Sequence, residues 1–213
     1  MNRLETRVNR PDDIRDRAVD ELRRFGVLML DGHFDYGNGY HGRTYLNPHQ
    51  LFRYPSTIWR LAQDLLDLVP STIASSTEVV AGPATGGALL AHTIAGLLDS
   101  RRSLTHPPCS FAPFGVDTED RPRLRSFYRQ LVNGRRVLLA DDVLNTGQTL
   151  QQCAEIVRAA GGSVLAAVVI CDRLARVVDI GAPVIALTEY AAQENYSADQ
   201  CPLCRAGTPV TAF

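Results

Sequence analysis

Val137-Leu138-Leu139-Ala140-Asp141-Asp142-Val143-Leu144-Asn145-Thr146-Gly147-Gln148-Thr149-Leu150 decides how the rest of the chain is read. The opening apolar residues form a buried strand that delivers two adjacent carboxylates to a sheet edge. A turn of small and hydroxyl-bearing residues follows, and Leu150, Cys153, Ala154 and Val157 then recur at helical spacing. Backbone N–H groups at that helix start, with the Thr146 and Thr149 hydroxyls, make a phosphate cradle that the helix dipole favours. The two aspartates can accept hydrogen bonds from sugar hydroxyls or organise a magnesium ion through water. The stretch lacks the glycine spacing and lysine of a nucleoside-triphosphate loop, and no Gly-x-Gly-x-x-Gly dinucleotide fingerprint follows the strand.

Outward from this stretch the strand, turn and helix order repeats. Glu78-Val79-Val80-Ala81 leads into Gly82-Pro83-Ala84-Thr85-Gly86-Gly87 and an apolar helix from Ala88 to Leu98. Gly161-Gly162 closes the helix after the acidic pair, Val164 to Cys171 reads as a buried strand, and Val184 to Leu187 as a last one. Such alternation specifies an α/β fold with a mainly parallel sheet covered on both faces. Ligands of such sheets lie beyond the C-terminal strand ends, where both glycine turns fall. Upstream, Ile14, Ala18, Leu22 and Phe25 mark a first helix, and a second begins near Pro55 with Ile58, Leu61, Ala62, Leu65 and Val69 on one face. Between them, Gly32 to Tyr45 is rich in glycine and aromatic residues and reads as a hairpin or loop. The segment between Phe114 and Phe127 is polar and charged, and is the candidate mobile loop.

Composition narrows the classes of function. The 213 residues suit one α/β domain with an appendage, and the 45% apolar content supports a large core. A net charge of −1 gives no sign of a nucleic-acid or membrane-surface partner. All 22 basic residues are arginine, so any mechanism that needs a lysine is excluded. Met1 to Asp20 has no apolar stretch resembling a signal peptide, and no apolar run is long enough to span a bilayer. A cytoplasmic location is therefore expected. Cys109, Cys153 and Cys171 sit among apolar neighbours and read as reduced, buried thiols.

The Val137–Thr149 stretch resembles the phosphoribosyl-pyrophosphate signature of the type I phosphoribosyltransferases. That resemblance implies the family's fold over residues 1–213 as a single domain, with a hood at about 1–50 plus the C-terminal tail and a core at about 51–190. It also implies that Asp141 and Asp142 hold the ribose hydroxyls, and that Asn145, Thr146, Gly147, Gln148 and Thr149 hold the 5′-phosphate. Ala81 to Gly87 is similar to the family's pyrophosphate loop, which assigns Ala84, Thr85 and Gly86 to the substrate; glycines there let backbone N–H groups approach an anion.

Gly32-His33-Phe34 through Tyr45 is similar to the hood of orotate phosphoribosyltransferases, and Cys201 to Gly207 to the tail of one branch of them. By this likeness Phe34, Tyr45, Asn145 and Arg173 meet the base, the arginine because a guanidinium pairs bidentately with the carboxylate of orotate. The implied reaction uses magnesium carried by the substrate, with no direct protein ligand assigned. Gly115 to Arg125 is the expected lid, with Arg121, Arg123 and Arg125 facing the leaving pyrophosphate, and a homodimer is expected because relatives are commonly dimers.

The chain departs from the orotate pattern in three places. The lid carries no lysine, and the hood position where some relatives have one reads Gly37; Asn145 stands where orotate enzymes usually carry Thr; and Gly42 replaces a hood serine. Two other readings therefore stay open: transfer to a different base, and a regulator that binds phosphoribosyl pyrophosphate without turnover. Cys201-x-x-Cys204 is half of a tetrahedral zinc set, but only the remote His106 and Cys109 offer a second half. The tail reads first as structural with reduced thiols, and second as a zinc site. His33 and His41 are read as packing or hydrogen-bonding residues of an aromatic loop.

Overall fold

The computed structural model describes residues 10–36, 39–103, 105–119, 121–191 and 195–212. The N-terminal stretch up to residue 9 and the hood position Gly37 lie outside the described residues, as does Asp120 in the expected lid. The first half of the chain contains α1 (Pro11–Arg24), β1 (Leu28–Met29), β2 (Phe34–Asp35), β3 (Tyr40–Gly42), β4 (Tyr45–Leu46), α2 (Pro55–Leu68), α3 (Ser71–Ser76), β5 (Val79–Pro83) and α4 (Gly86–Ser100). The second half contains β6 (Ser110–Val116), β7 (Pro122–Arg123), α5 (Ser126–Val132), β8 (Arg136–Leu144), α6 (Gln148–Ala159), β9 (Ser163–Asp172), β10 (Val184–Glu189), β11 (Asn195–Ser197) and α7 (Pro202–Arg205).

The central sheet has the order β10-β9-β8-β5-β6-β7, parallel throughout except for β7. The alternation of side chains along a strand explains why it is covered twice. On β8, Leu138 and Ala140 enter a core shared with α1, α2 and α4, while Val137 and Leu139 enter a second core against α6. On β9, Ala166, Val168 and Ile170 face the first core, and Ala167 and Val169 the second. Burying both faces fixes the register of these strands, and with it where their C-terminal ends fall.

The helices obey the spacing rules that marked them. In α1 the buried residues are Ile14, Ala18 and Leu22, with Pro11 at the first turn, acids at the start and Arg23 and Arg24 at the end. α6 ends before Gly161, whose φ of +86° places it in the left-handed region.

Three features differ from the expectations. β8 runs on to Leu144, so Asp141 and Asp142 lie within the strand and not in the turn after it. The reason is β9, which extends alongside and pairs Asp141 with Val169 and Leu144 with Asp172. β6 was not expected, because Pro113 interrupts an otherwise apolar run. Here β6 bonds to β5 on one side and to β7 only at Gly115 and Val116 on the other, which tolerates a residue without an N–H. The expected mobile loop is a short hairpin arm, with β6 and β7 joined by a turn in which Asp117 N donates to the Arg121 carbonyl at 2.9 Å.

The N-terminal hairpins form a small hood. β1 pairs with β4, and β2 with β3. On its other edge β3 pairs with β11, so the C-terminal tail completes a three-stranded sheet with the hood.

Candidate active site

At the C-terminal edge of the sheet the Gly82–Gly87 turn is packed closely against the end of β8. A Cβ added at Gly82 would run into the carbonyl oxygens of Gly87 and Ala140. One added at Gly87 would lie 2.7 Å from Asp141 Oδ1 and 2.8 Å from the Ala140 carbonyl oxygen, and one at Gly86 would run into the Asp142 carboxylate. Only glycine at these positions lets the start of α4 press against the end of β8. Ala84 and Thr85 remain exposed at the rim of this turn, joined by a cis peptide bond.

The acidic pair is held under this turn. Asp141 Oδ1 accepts from the Asp142 backbone N–H at 2.9 Å, and Asp142 Oδ1 accepts from that of Val143 at 2.7 Å. Burial pushes the Asp141 carboxyl well above the usual carboxylate range, and the adjacent Asp142 charge adds to the shift. Asp142 is also raised by burial, partly offset by backbone donors and by the charge of His49. His49 comes from the 3-10 turn Pro48–Arg53, whose Phe52 ring reaches toward Gly86.

Asn145 to Thr149 form the second turn. Gly147 sits at the N-cap of α6 with φ of +88°, a left-handed conformation that suits glycine. The start of α6 borders a cavity of about 70 Å³ lined by Asp141, Asn145, Thr146, Gly147 and Thr149, and its first N–H groups have no partner within the helix. The segment after β9 braces this turn: Arg173 N donates to the Leu144 carbonyl at 2.9 Å and Val177 N to that of Thr146 at 3.0 Å.

Asn145 also lines a second cavity, of about 390 Å³, under the hood. Its wall includes Tyr36, Tyr40, Tyr45, Arg173 and Asn195. Arg173 forms no salt bridge among the described residues. The Tyr36 hydroxyl donates to the Thr44 carbonyl at 2.7 Å, and burial raises its pKa while the Arg173 charge pulls it down. Phe34 is absent from this lining: its ring is buried and packs 5.9 Å from that of Tyr45. Tyr36, Tyr40, Asn195 and His49 are the residues sequence reasoning missed. A hood of short strands shows no periodicity long enough to say which aromatic faces inward, and Asn195 arrives from the far end of the chain.

The arginines of the arm separate. Arg121 is exposed and paired with Asp117 at 3.0 Å and Glu119 at 3.2 Å, within its own turn. Arg123 and Arg125 instead line a cavity of about 330 Å³ with Gly115 and Val116.

Comparison with known proteins bears on the family and the fold. The model of the phosphoribosyl transferase domain family matches residues 57–203. The orotate phosphoribosyltransferase of Caldanaerobacter subterraneus is 30% identical over 196 residues, 92% of this chain and 95% of that protein. That of Bartonella tribocorum is 31% identical over 174 residues, 82% and 84% of the two chains. Among solved structures, orotate phosphoribosyltransferase from Aeropyrum pernix superposes with a TM-score of 0.61 at 22% identity, covering 80% of this chain and 92% of that one. Adenine phosphoribosyltransferase from Thermoanaerobacter pseudethanolicus gives the same TM-score of 0.61 at 16% identity, over 81% and 99%. At these identities the superpositions establish the fold.

The buried acidic pair carries a stability consequence. A carboxyl whose folded pKa is raised destabilises the folded state once pH exceeds the unfolded value, and the cost disappears below it. Asp141→Asn should therefore raise the melting temperature of the ligand-free protein at pH 7. The gain should shrink as pH falls toward 4, the usual carboxylate range. Thermal melts across pH check this; a lower melting temperature at pH 7 would contradict the electrostatic reading of the pair.

Proposed function

The chain belongs to the phosphoribosyl transferase family and is a phosphoribosyltransferase, and from that premise we propose that it transfers the phosphoribosyl group of phosphoribosyl pyrophosphate to orotate. The products are orotidine 5′-monophosphate and pyrophosphate, which places the enzyme in pyrimidine nucleotide biosynthesis. The observation that carries this reading is Arg173, a guanidinium with no carboxylate partner among the described residues, set in a tyrosine-walled cavity beside Asn145. A planar, carboxylated ring suits such a wall, because arginine pairs bidentately with a carboxylate while the rings flank the base. The relatives named as orotate enzymes support the same assignment.

Each part of the site then has a task. The N–H groups and hydroxyls from Thr146 to Thr149 hold the 5′-phosphate in the smaller cavity. Asn145 borders both cavities, so a sugar seated on Asp141 and Asp142 places its anomeric carbon toward the base. The acids accept hydrogen bonds from the ribose hydroxyls and favour the positive charge that develops on the sugar as pyrophosphate departs. Backbone groups of Ala84 to Gly86 receive the pyrophosphate. Two buried oxygen donors of like charge also suit a magnesium ion brought by the substrate, which supplies charge neutralisation to the diphosphate when bound.

Arg123 and Arg125 take the place of the lid lysines of relatives. Always charged, they stabilise the leaving group electrostatically and do not serve as acids. Arg121 holds the arm's turn through its two carboxylate partners. The arm lies at the open edge of the sheet, and a homodimer in which it meets a second copy is part of the proposal, in a cytoplasmic enzyme. Light scattering at micromolar concentration should give twice the chain mass; a monomer would remove that part.

The test is to mix the protein with magnesium, phosphoribosyl pyrophosphate and a panel of bases, following loss of base absorbance and pyrophosphate release. Orotate should turn over and uracil, which lacks the carboxylate, should not. Arg173→Ala should raise KM for orotate about 10- to 100-fold, the worth of a charge-assisted pair. Equal use of uracil, or an unaffected Arg173→Ala variant, would sink the orotate assignment. No turnover with any base would sink the proposal that this site is assembled for transfer.

A further inference from the structure

Two pairs of residues, some 160 positions apart in sequence, meet at the hood sheet. His33 precedes β2, His41 lies in the middle of β3, Cys201 caps α7 and Cys204 sits one turn further along it. One ligand atom from each falls within a cluster in which all four lie within 4.8 Å of one another. His33 Nε2 is 3.0 Å from His41 Nδ1, 3.5 Å from Cys201 Sγ and 3.6 Å from Cys204 Sγ. Cys204 Sγ is 3.3 Å from His41 Nδ1.

These separations are those of a tetrahedral coordination shell. With Zn–S of about 2.3 Å and Zn–N of about 2.0 Å, the tetrahedron's edges are about 3.3 Å for N–N and about 3.5 Å for N–S. The tautomer agrees as well. His33 Nδ1 lies 2.8 Å from the Thr208 carbonyl oxygen, to which it must donate. The lone pair is thereby left on Nε2, aimed at the cluster, and the carbonyl orients the ring as metal-bound histidines require. Cys201 and His33 are buried, and neither cysteine is in a disulfide.

The geometry points to a structural zinc site of two histidines and two cysteines that clasps the C-terminal tail to the hood. The donor set of two thiolates and two imidazoles selects zinc over magnesium or calcium, and the closed shell leaves no position for a substrate. Two thiols give up their protons when the ion enters. The clasp acts on the base pocket through strand geometry. Successive residues of a strand face opposite sides, so His41 on the metal leaves Tyr40 in the wall of the cavity. β11 carries Asn195 into the same wall and pairs with β3, Tyr196 opposite His41 and Asn195 opposite Gly42. This inference concerns the scaffold behind the pocket and stands whichever base the pocket accepts.

The test is elemental analysis of tag-free, full-length protein purified without chelator, followed by cobalt substitution under reducing conditions. About one zinc per chain is expected, and the cobalt form should show thiolate charge-transfer and intense tetrahedral d–d absorption. Cys204→Ser and His41→Ala, at the less buried corners, should each reduce zinc content at least about ten-fold. His106→Ala, on a separate loop, should leave it unchanged. A chain with no zinc whose reduced form gives no tetrahedral cobalt spectrum would overturn the site. So would a Cys201–Cys204 disulfide in the purified protein, or zinc content untouched by both variants.

Discussion

The close contact between the Gly82–Gly87 turn and the end of β8 is the constraint on which the rest of the site depends. Backbone meets backbone at Gly82, and the Asp142 and Asp141 carboxylates press on Gly86 and Gly87, so there is no room for a Cβ at any of the three. Two consequences follow from one packing decision. The start of α4 is brought beside the acidic pair, so the proposed pyrophosphate and ribose positions become neighbours. The same contact removes water from Asp141 and Asp142, which raises their pKa values. On the proposed function, charge that destabilises the empty protein is the charge that would stabilise a developing cation on the sugar.

The sheet was legible because its signals are strong and local. Continuous apolar runs in β5, β8 and β9, each ending in a turn of small residues, specify strands buried on both faces, and the helices between them keep a clear 3.6-residue period. The two turns proposed to hold the sugar and phosphates could be located for the same reason, since Asp141 to Thr149 and Ala84 to Gly86 are contiguous segments attached to those strands. The extent of β8 was harder to read: a partner strand decides whether two aspartates continue a ladder, and the local sequence says nothing about that partner.

The hood and the tail were legible only in part, for a different physical reason. The hood is made of strands of two or three residues, too short for alternation to reveal an inward face. Phe34 was expected to meet the base and instead packs on Tyr45, while Tyr36, Tyr40 and Asn195 line the cavity under the hood. Likewise, Cys201 and Cys204 advertise half a metal site, but the two histidines that face them sit some 160 residues earlier, brought close by the pairing of β3 with β11 and by the tail's bonds to His33 and β2. In the arm, counting arginines could not tell Arg121, spent on its own turn, from Arg123 and Arg125, which face a cavity. Non-local pairing decides each of these cases.

The central claim is that the two glycine-containing turns and the acidic pair form one phosphoribosyl-pyrophosphate site. The most direct measurement is a crystal structure of the protein with phosphoribosyl pyrophosphate and magnesium. The account predicts the 5′-phosphate on the N–H groups at the start of α6, the ribose hydroxyls on Asp141 and Asp142, and the diphosphate against Ala84 to Gly86. Density for the ligand elsewhere, or a ribose that leaves both carboxylates untouched, would contradict it.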